Sequence, residues 1–476
     1  MTNKNIEPLD PPLDWRSSPE SVTLMPHPAD EPELTRIPLS RAIFKLAGPA
    51  IGSMIFIMVF SLVDAWWVGK LGAEELAGVS AAAFIMWALQ SIAVLVDTGV
   101  NAMVARFVGA NSKRQAGRVV GQAVFLAGFI ALLNTGIGLS VQHTTFELMG
   151  LEGKVLTAAL DYMTVILYGL IFIFLAFALD AAFRGTGDTK TPLKIIGAGL
   201  TLNMILDPFL IFGIGPFPTM GVAGAALATI IAHAIVVVLA VIILLRRDVT
   251  IIFKEANSRL FNFNIMWRLT KIGAPIAASG FLFSLSYMVL TRLITGFGAG
   301  ALAAIGLGHR IEGLSYNVAV GFSFAASALV GQNLGAHKPE RAEKAVWLTL
   351  LYISIFLTVV SLVFFFFGSH IIRFFINDPK VIKEGAMYLK IIAIFEIFLG
   401  FEIVLEGAFS GAGNSLPPML ISVPLTWARI PLALLFAYTF AMGSTGIWLA
   451  ISVTTGLKGI LMALWFRRGF WKTKEV

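Results

Sequence analysis

The chain has 476 residues, of which 57% are apolar and only 13% charged, against about 25% charged residues in an ordinary soluble domain. So sparse a polar coat excludes a water-surrounded globular protein, and the absence of cysteine excludes disulfides, thiolate metal sites and cysteine nucleophiles. The net charge of +7 is unevenly spread: residues 1–40 hold seven acids and three bases. The excess of bases therefore lies between apolar runs further on, with no basic stripe along a polar face of the kind nucleic acid requires.

Residues 1–40 contain eight of the 20 prolines and no long apolar run, so they read as a flexible, solvated tail without the order of a signal peptide. From Ile43 onward, twelve apolar segments long enough to cross a bilayer follow one another, at about 43–68, 77–105, 119–141, 156–182, 191–213, 221–245, 272–295, 302–330, 345–368, 386–408, 419–440 and 445–466. A lipid-facing backbone must satisfy its own hydrogen bonds, so all twelve are expected to be helices of an all-α integral membrane protein. Loops on the side of the termini hold twenty lysines and arginines and the opposite loops five, which places both termini in the cytoplasm of a multi-pass protein of the cytoplasmic membrane.

An internal repeat organises these spans. Lys45-Leu-Ala-Gly-Pro49 recurs as Lys271-Ile-Gly-Ala-Pro275, Val104-Ala-Arg-Phe-Val-Gly-Ala110 as Val330-Gly-Gln-Asn-Leu-Gly-Ala336, and Phe183-Arg-Gly-Thr-Gly-Asp188 as Phe409-Ser-Gly-Ala-Gly-Asn414, each at an offset of 226. Six spans fill that offset, so the halves run parallel and are related by an axis along the membrane normal. The expected division is a tail (1–40), an N-terminal six-helix bundle (41–245), a connector (246–271), a C-terminal six-helix bundle (272–468) and a short cytoplasmic tail (469–476), with a cavity between the bundles.

Ionisable residues confined to one half mark what that half does alone. Asp64 corresponds to Leu290 and Asp97 to Ser323, while Asn203 and Asp207 stand one helical turn apart in the fifth span, whose C-terminal counterpart around Ile430 has no acid and has Arg429 beside it. Carboxylates at such depth take up a proton, bind a cation or meet an oriented partner. Asp64, Asp207 and the Asn203 amide oxygen are equally suited to a proton relay and to a hard cation such as Na⁺. Pro208 removes a backbone donor directly after Asp207. Asp180, one turn before Arg184, serves either a cytoplasmic-end ion pair or a cavity. Asp97 either bonds Thr98 or lines the cavity, and Glu396 and Glu402 are membrane acids able to meet a cationic substrate. Phe56, Phe60, Trp87 and Phe283 offer rings for apolar and cation–π contact. Gly185-Thr-Gly187 lacks the Gly-Lys-Ser/Thr of a phosphate-binding loop, so no nucleotide drive is expected.

Val-Asp64-Ala-Trp-Trp-Val-Gly69, Val104-Ala-Arg-Phe-Val-Gly-Ala110, Phe-Arg184-Gly-Thr-Gly-Asp-Thr-Lys-Thr-Pro192 and Asn203 through Asp207-Pro208 together resemble the multidrug and toxic compound extrusion family over about residues 43–468. The resemblance implies two pseudo-symmetric six-helix bundles and export of organic compounds in exchange for H⁺ or Na⁺. The first-span acid and the Asn-x-x-x-Asp of the fifth span resemble the DinF-like branch, which implies a coupling-ion site at Asp64, Asn203 and Asp207, with Asp180 as an outlying member and Thr229 as the hydroxyl of the sixth span. The seventh span carries no acid where the NorM-like branch has one. The function expected on these grounds is a monomeric antiporter, not an enzyme and without a cofactor beyond its coupling cation. It would export amphipathic, cationic organic compounds through a cavity lined by Phe60, Trp87, Asp97, Phe283 and Glu402, with membrane lipid around it and no nucleic-acid partner. The rival is a flippase for lipids or lipid-linked carriers, which a cavity lined by Arg292, Arg310 and Arg429 would favour.

Overall fold

Each apolar run is helical in the computed structural model, which describes residues 31–246 and 261–475. The helices are α1 (Leu39–Gly69), α2 (Ala73–Gly109), α3 (Lys113–Leu148), α4 (Gly153–Tyr168), α5 (Leu170–Gly185), α6 (Lys190–Phe212), α7 (Val222–Arg246), α8 (Phe263–Thr295), α9 (Ala299–Gly335), α10 (Pro339–Phe375), α11 (Pro379–Gly411), α12 (Leu416–Leu434) and α13 (Ser444–Arg467). Among the described residues ten are long and apolar enough to cross a membrane, and α4 with α5 forms an eleventh crossing bent by 55°. The 33-residue α11 completes the twelve; its apolar length is interrupted by Lys390, Glu396, Glu402 and Glu406. Large apolar side chains such as Phe129 and Phe366 stand 64% and 66% exposed around the outside, as an acyl-chain environment requires.

The fourth span corrects the expectation of one straight helix over 156–182. It breaks at Gly169, where a Cβ would lie 2.3 Å from Ile230 Cγ2 of α7, so the backbone comes closer to α7 than any side chain allows. Its repeat mate in unbroken α11 is Phe395.

The offset of 226 is written into the contacts. Asn101 Nδ2 donates to Ser327 Oγ at 3.0 Å, a pair 226 residues apart that straddles the pseudo-dyad. A Cβ on Gly109 would meet the Gln332 carbonyl at 2.1 Å, and one on Gly335 the Arg106 carbonyl at 2.1 Å, the same contact made in both directions. Pro49 and Pro275 interrupt the hydrogen bonding of α1 and α8. Near these breaks Thr189 Oγ1 donates to the Leu46 carbonyl at 2.9 Å, and Ser415 Oγ donates to the Ile272 carbonyl. Asn111 and His337, again repeat mates, both turn through positive φ, 59° and 56°.

These reciprocal contacts close the end of the molecule that carries the termini. Ala42, Ile43, Leu46 and Ala47 of α1 pack into the core of the C-terminal lobe, and Ile265, Leu269 and Ile272 of α8 into that of the N-terminal lobe. Away from the termini the lobes part: Gly280 backs onto Ser91, Trp87 meets Phe283 edge to face at 6.4 Å, and one turn further out Phe84 and Met288 are 60% and 61% exposed. The cleft between the lobes opens on the side opposite the termini.

Two expected boundaries shift, and the C-terminal tail is held in place. The tail through residue 40 ends earlier, because Leu34 is buried, Arg341 donates to the Leu34 and Ile37 carbonyls, and Lys338 Nζ lies 2.5 Å from Glu31 Oε2. Residues 1–30 lie outside the described residues. The connector over 246–271 is shorter, since Asn262 caps α8 by accepting from the Ile265 amide at 3.3 Å; residues 247–260 lie outside the described residues. The C-terminal tail is anchored by Trp471, 1% exposed, and by Arg106 donating to the Lys474 carbonyl at 3.0 Å.

Candidate functional site

The N-terminal lobe gathers polar side chains from α1, α4, α6 and α7. The i,i+4 spacing on α6 puts Asn203 and Asp207 on one face, and both are fully buried. Asn203 Nδ2 donates to Thr229 Oγ1 at 3.3 Å, and the Nδ1–H of His233 donates to the Thr229 carbonyl at 2.8 Å. Asp64 of α1 and Asp207 lie within electrostatic range of each other, and Tyr162 of α4 is in range of both.

What distinguishes this cluster is its lack of donors. Asn203 Oδ1, both oxygens of Asp207 and Asp64 Oδ1 are buried without a hydrogen-bond partner among the described residues. Each unsatisfied acceptor in a low-dielectric interior costs about 1–3 kcal/mol, more when charged. The remedy chemistry offers is a proton, or a hard monovalent cation held by carboxylate and amide oxygens. No group of three or more His, Cys, Asp or Glu among the described residues forms a transition-metal site.

Asp97 and Asp180 are placed elsewhere. Arg184 of α5 donates through Nε to Asp180 Oδ2 at 2.9 Å and through Nη2 to Asp97 Oδ1, and its guanidinium lies 3.8 Å from the Phe324 ring centroid on α9. The two acids are thereby held on one buried cation at the contact between the lobes, in the ion pair that the Asp180–Arg184 spacing allowed.

The C-terminal lobe has the opposite polarity at the matching place. Arg429 of α12 is the repeat mate of Asn203, and Thr455 of α13 that of Thr229. Where Asn203 bonds Thr229, Arg429 donates through Nη2 to Thr455 Oγ1 at 2.8 Å, and further through Nε to Thr454 Oγ1 at 2.8 Å and Nη1 to the Tyr287 hydroxyl at 3.2 Å. Lys458, 1% exposed, donates to Glu402 Oε1 at 3.0 Å, leaving Glu402 Oε2 without a partner. Deeper in this lobe, Tyr388 donates to Glu312 at 2.8 Å and Ser315 to Glu396. The Phe283 ring centroid lies 5.8 Å from both the Arg429 guanidinium and the Lys458 ammonium. Arg292 and Arg310 are exposed, so of the three arginines named for a lined cavity only Arg429 is enclosed.

Of the ring residues expected in the cavity, Trp87 and Phe283 meet across the cleft, Phe60 is half-buried on α1, and Phe56 lies against Gly197 of α6. Sequence reasoning did not reach Tyr162, Tyr287, Thr454 or Lys458. Adding 226 to Asn203 and Thr229 leads to the second polar cluster, which is the signal that was available.

A family model described as MatE matches residues 49–209 and 275–435, two blocks whose starts and ends are each 226 apart. The chain is 29% identical over 443 residues to a "Probable multidrug resistance protein NorM" of Thermotoga maritima, covering 92% of this chain and 94% of that protein. It is 28% identical over 433 residues to a protein of Shewanella oneidensis described as "FAD transporter", covering 90% and 95%. Among solved structures, a "MATE in the bent conformation" superposes with a TM-score of 0.85 at 22% identity, covering 92% of this chain and 96% of that one. An "outward-facing conformation of a multidrug resistance MATE family transporter" gives 0.82 at 22%, covering 92% and 97%.

Proposed function

The chain belongs to the MatE family, and on that premise we propose that it is a secondary active antiporter that exports amphipathic organic compounds in exchange for H⁺ or Na⁺. The observation that carries this reading is the cluster of four buried acceptor oxygens on Asp64, Asn203 and Asp207 of the N-terminal lobe, without hydrogen-bond partners among the described residues. A cation entering from the cleft neutralises them. Because the cleft opens away from the termini, and the lysine and arginine count puts the termini in the cytoplasm, that cation comes from outside the cell.

Coupling requires the cation to bind the outward-open and inward-open forms with different affinity. A site built from helices of one lobe meets this condition if that lobe changes shape as it closes, and Pro49 on the helix of Asp64, Pro208 beside Asp207 and the break at Gly169 are points in this lobe where the helical hydrogen bonding is interrupted. The Trp87–Phe283 pair at the cleft floor supplies an apolar, aromatic surface for the substrate. The relatives are described as drug and FAD transporters, so both cationic and anionic ring compounds fall within the range of substrates to test.

The deciding experiment is efflux of ethidium, a cationic ring compound, and in parallel of riboflavin 5′-phosphate, an anionic one, from proteoliposomes under separately imposed pH and Na⁺ gradients. Efflux driven by one gradient identifies the ion; efflux indifferent to both refutes antiport.

A further inference from the structure

The repeat makes the two lobes a controlled comparison: one backbone plan, two side-chain sets. At the place where the N-terminal lobe has acceptors without donors, the C-terminal lobe has donors in excess. A guanidinium carries five N–H groups in a planar fork, and Arg429 spends three of them on Thr454, Thr455 and Tyr287, all neutral hydroxyls. No carboxylate lies within ion-pair distance of Arg429 among the described residues. Lys458 holds the neighbouring acid Glu402, and Glu312 is bonded by Tyr388. Arg429 is thus a cation only 2% exposed and with no counter-ion. Burial of an unpaired charge is costly, and an anion relieves it.

The position of Arg429 connects it to the cleft. Its partners Tyr287 and Thr455 are half-buried rather than enclosed, and its guanidinium lies 5.6 Å from the Tyr287 ring and 5.8 Å from that of Phe283. Phe283 in turn meets Trp87 of the other lobe across the cleft floor. An aromatic surface reaching both lobes and a cation without a counter-ion behind it are therefore contiguous, and the fork of Arg429 matches the geometry of an oxyanion.

We propose that the C-terminal lobe recognises substrates by an anionic group: a carboxylate, sulfonate or phosphate on an aromatic compound bonds the remaining N–H groups of Arg429, while the ring packs on the Trp87–Phe283 pair. This rests on the exporter reading and assigns a substrate class to it, in place of the cationic compounds expected from the sequence. It also divides the labour between the lobes: the cation is held where the acceptors are, and the anionic substrate where the donors are.

The test is a matched pair of probes, riboflavin and riboflavin 5′-phosphate, which share a ring system and differ by one phosphate. Binding to the full-length protein in lipid nanodiscs is read by quenching of flavin fluorescence. The phosphate ester is expected to bind at least about tenfold more tightly than riboflavin, a preference equivalent to about 1.4 kcal/mol. Arg429→Gln is expected to abolish that preference while leaving riboflavin affinity within about twofold, and Arg429→Lys, which keeps the charge but not the fork, to retain part of it. Equal affinity of the wild-type protein for the two flavins overturns the proposal, as does a preference that survives Arg429→Gln. If the glutamine variant fails to fold, the wild-type comparison and Arg429→Lys still decide. Because binding is measured without a gradient, failure here leaves antiport standing, and failure of gradient-driven efflux leaves the anion site standing.

Discussion

Glycine at positions 109 and 335 sets how closely the two lobes approach at the terminus end. A Cβ on Gly335 would lie 2.1 Å from the Arg106 carbonyl oxygen and 3.0 Å from the Ala110 amide nitrogen, whereas ordinary contact begins at 3.4 Å. The lobes must therefore retreat by about 1.3 Å at that point, and because the atoms struck are backbone atoms of α2 and its C-cap, no rotamer change relieves the clash. Overpacking of this kind costs about 1–3 kcal/mol. The strain exists only while this end is closed, so Gly335→Ala is expected to shift the equilibrium toward conformers open at the terminus side by about 5- to 150-fold. The chain has no cysteine, so Asn101→Cys with Ser327→Cys places a single reporter pair where the native side-chain atoms lie 3.0 Å apart. Oxidative cross-linking reports the closed end. It is expected to be near complete in the reporter background and slower with Gly335→Ala in proportion to the lost closed fraction, with that factor as the upper limit. Gly109→Ala, whose Cβ meets the Gln332 carbonyl at the same 2.1 Å, is expected to match it within about threefold, the usual context dependence of an overpacking effect. Unchanged cross-linking in both variants, with thermal stability intact, refutes the view that these glycines hold the lobes together.

Asp207→Asn keeps the shape of the site and removes one of its two carboxylates. At about 4 Å and an effective dielectric near 20 a unit charge contributes about 4 kcal/mol to a bound cation, so cation affinity is expected to fall by about a thousandfold, read as loss of gradient-driven efflux from a protein that still folds. Arg184→Ala leaves Asp97 and Asp180 close together without their shared cation and is expected to destabilise the protein by about 3–5 kcal/mol; a lowered thermal midpoint that Asp97→Asn and Asp180→Asn together restore would confirm it. Arg341→Ala removes the donor to the Leu34 and Ile37 carbonyls. Each bond to a charged group is worth about 1.5–3 kcal/mol, so tryptic cleavage after Arg36 is expected to accelerate at least about tenfold, and an unchanged cleavage rate would show that burial of Leu34 and the ion pairs of Glu31 and Glu33 hold residues 31–38 without Arg341.

The spans and the offset of 226 were legible because bilayer thickness fixes the length of an apolar run and a duplicated scaffold preserves glycine and proline positions. The break at Gly169 was not: a single glycine inside a long apolar run leaves the hydropathy unchanged, and the residue its backbone packs against, Ile230, is over sixty residues away in the chain. The acceptor cluster of the N-terminal lobe was partly legible. The i,i+4 spacing brought Asn203 to Asp207, whereas the placement of Asp64 and Tyr162 beside them depends on how α1 and α4 lean, which no local pattern encodes. The link from Arg184 to Asp97, 87 residues apart, was invisible for the same reason, while its link to Asp180, four residues away, could be read directly.

The asymmetry of the lobes follows from what duplication keeps and what it releases. Positions at the pseudo-dyad serve both halves at once: a change at Gly109 or Gly335 disturbs the same interface, so these contacts stay paired. Positions inside a lobe bear no such joint constraint, and there the pairs diverge, Asn203 against Arg429, Asp64 against Leu290, Gly169 against Phe395. The acceptor cluster of Asp64, Asn203 and Asp207 and the broken helix fall in one lobe, and the guanidinium without a counter-ion in the other. On the proposed reading, a cation bound by the first and an anion bound by the second would carry opposite charges into neighbouring halves of one low-dielectric body, where unlike charges attract. If exchange requires that they not be held together, the separation must come from conformation rather than from charge: the shape the N-terminal lobe takes with its cation must be the one in which the ring surface at Trp87 and Phe283 no longer holds the substrate. That places the coupling at the floor of the cleft, where α2 and α8 meet.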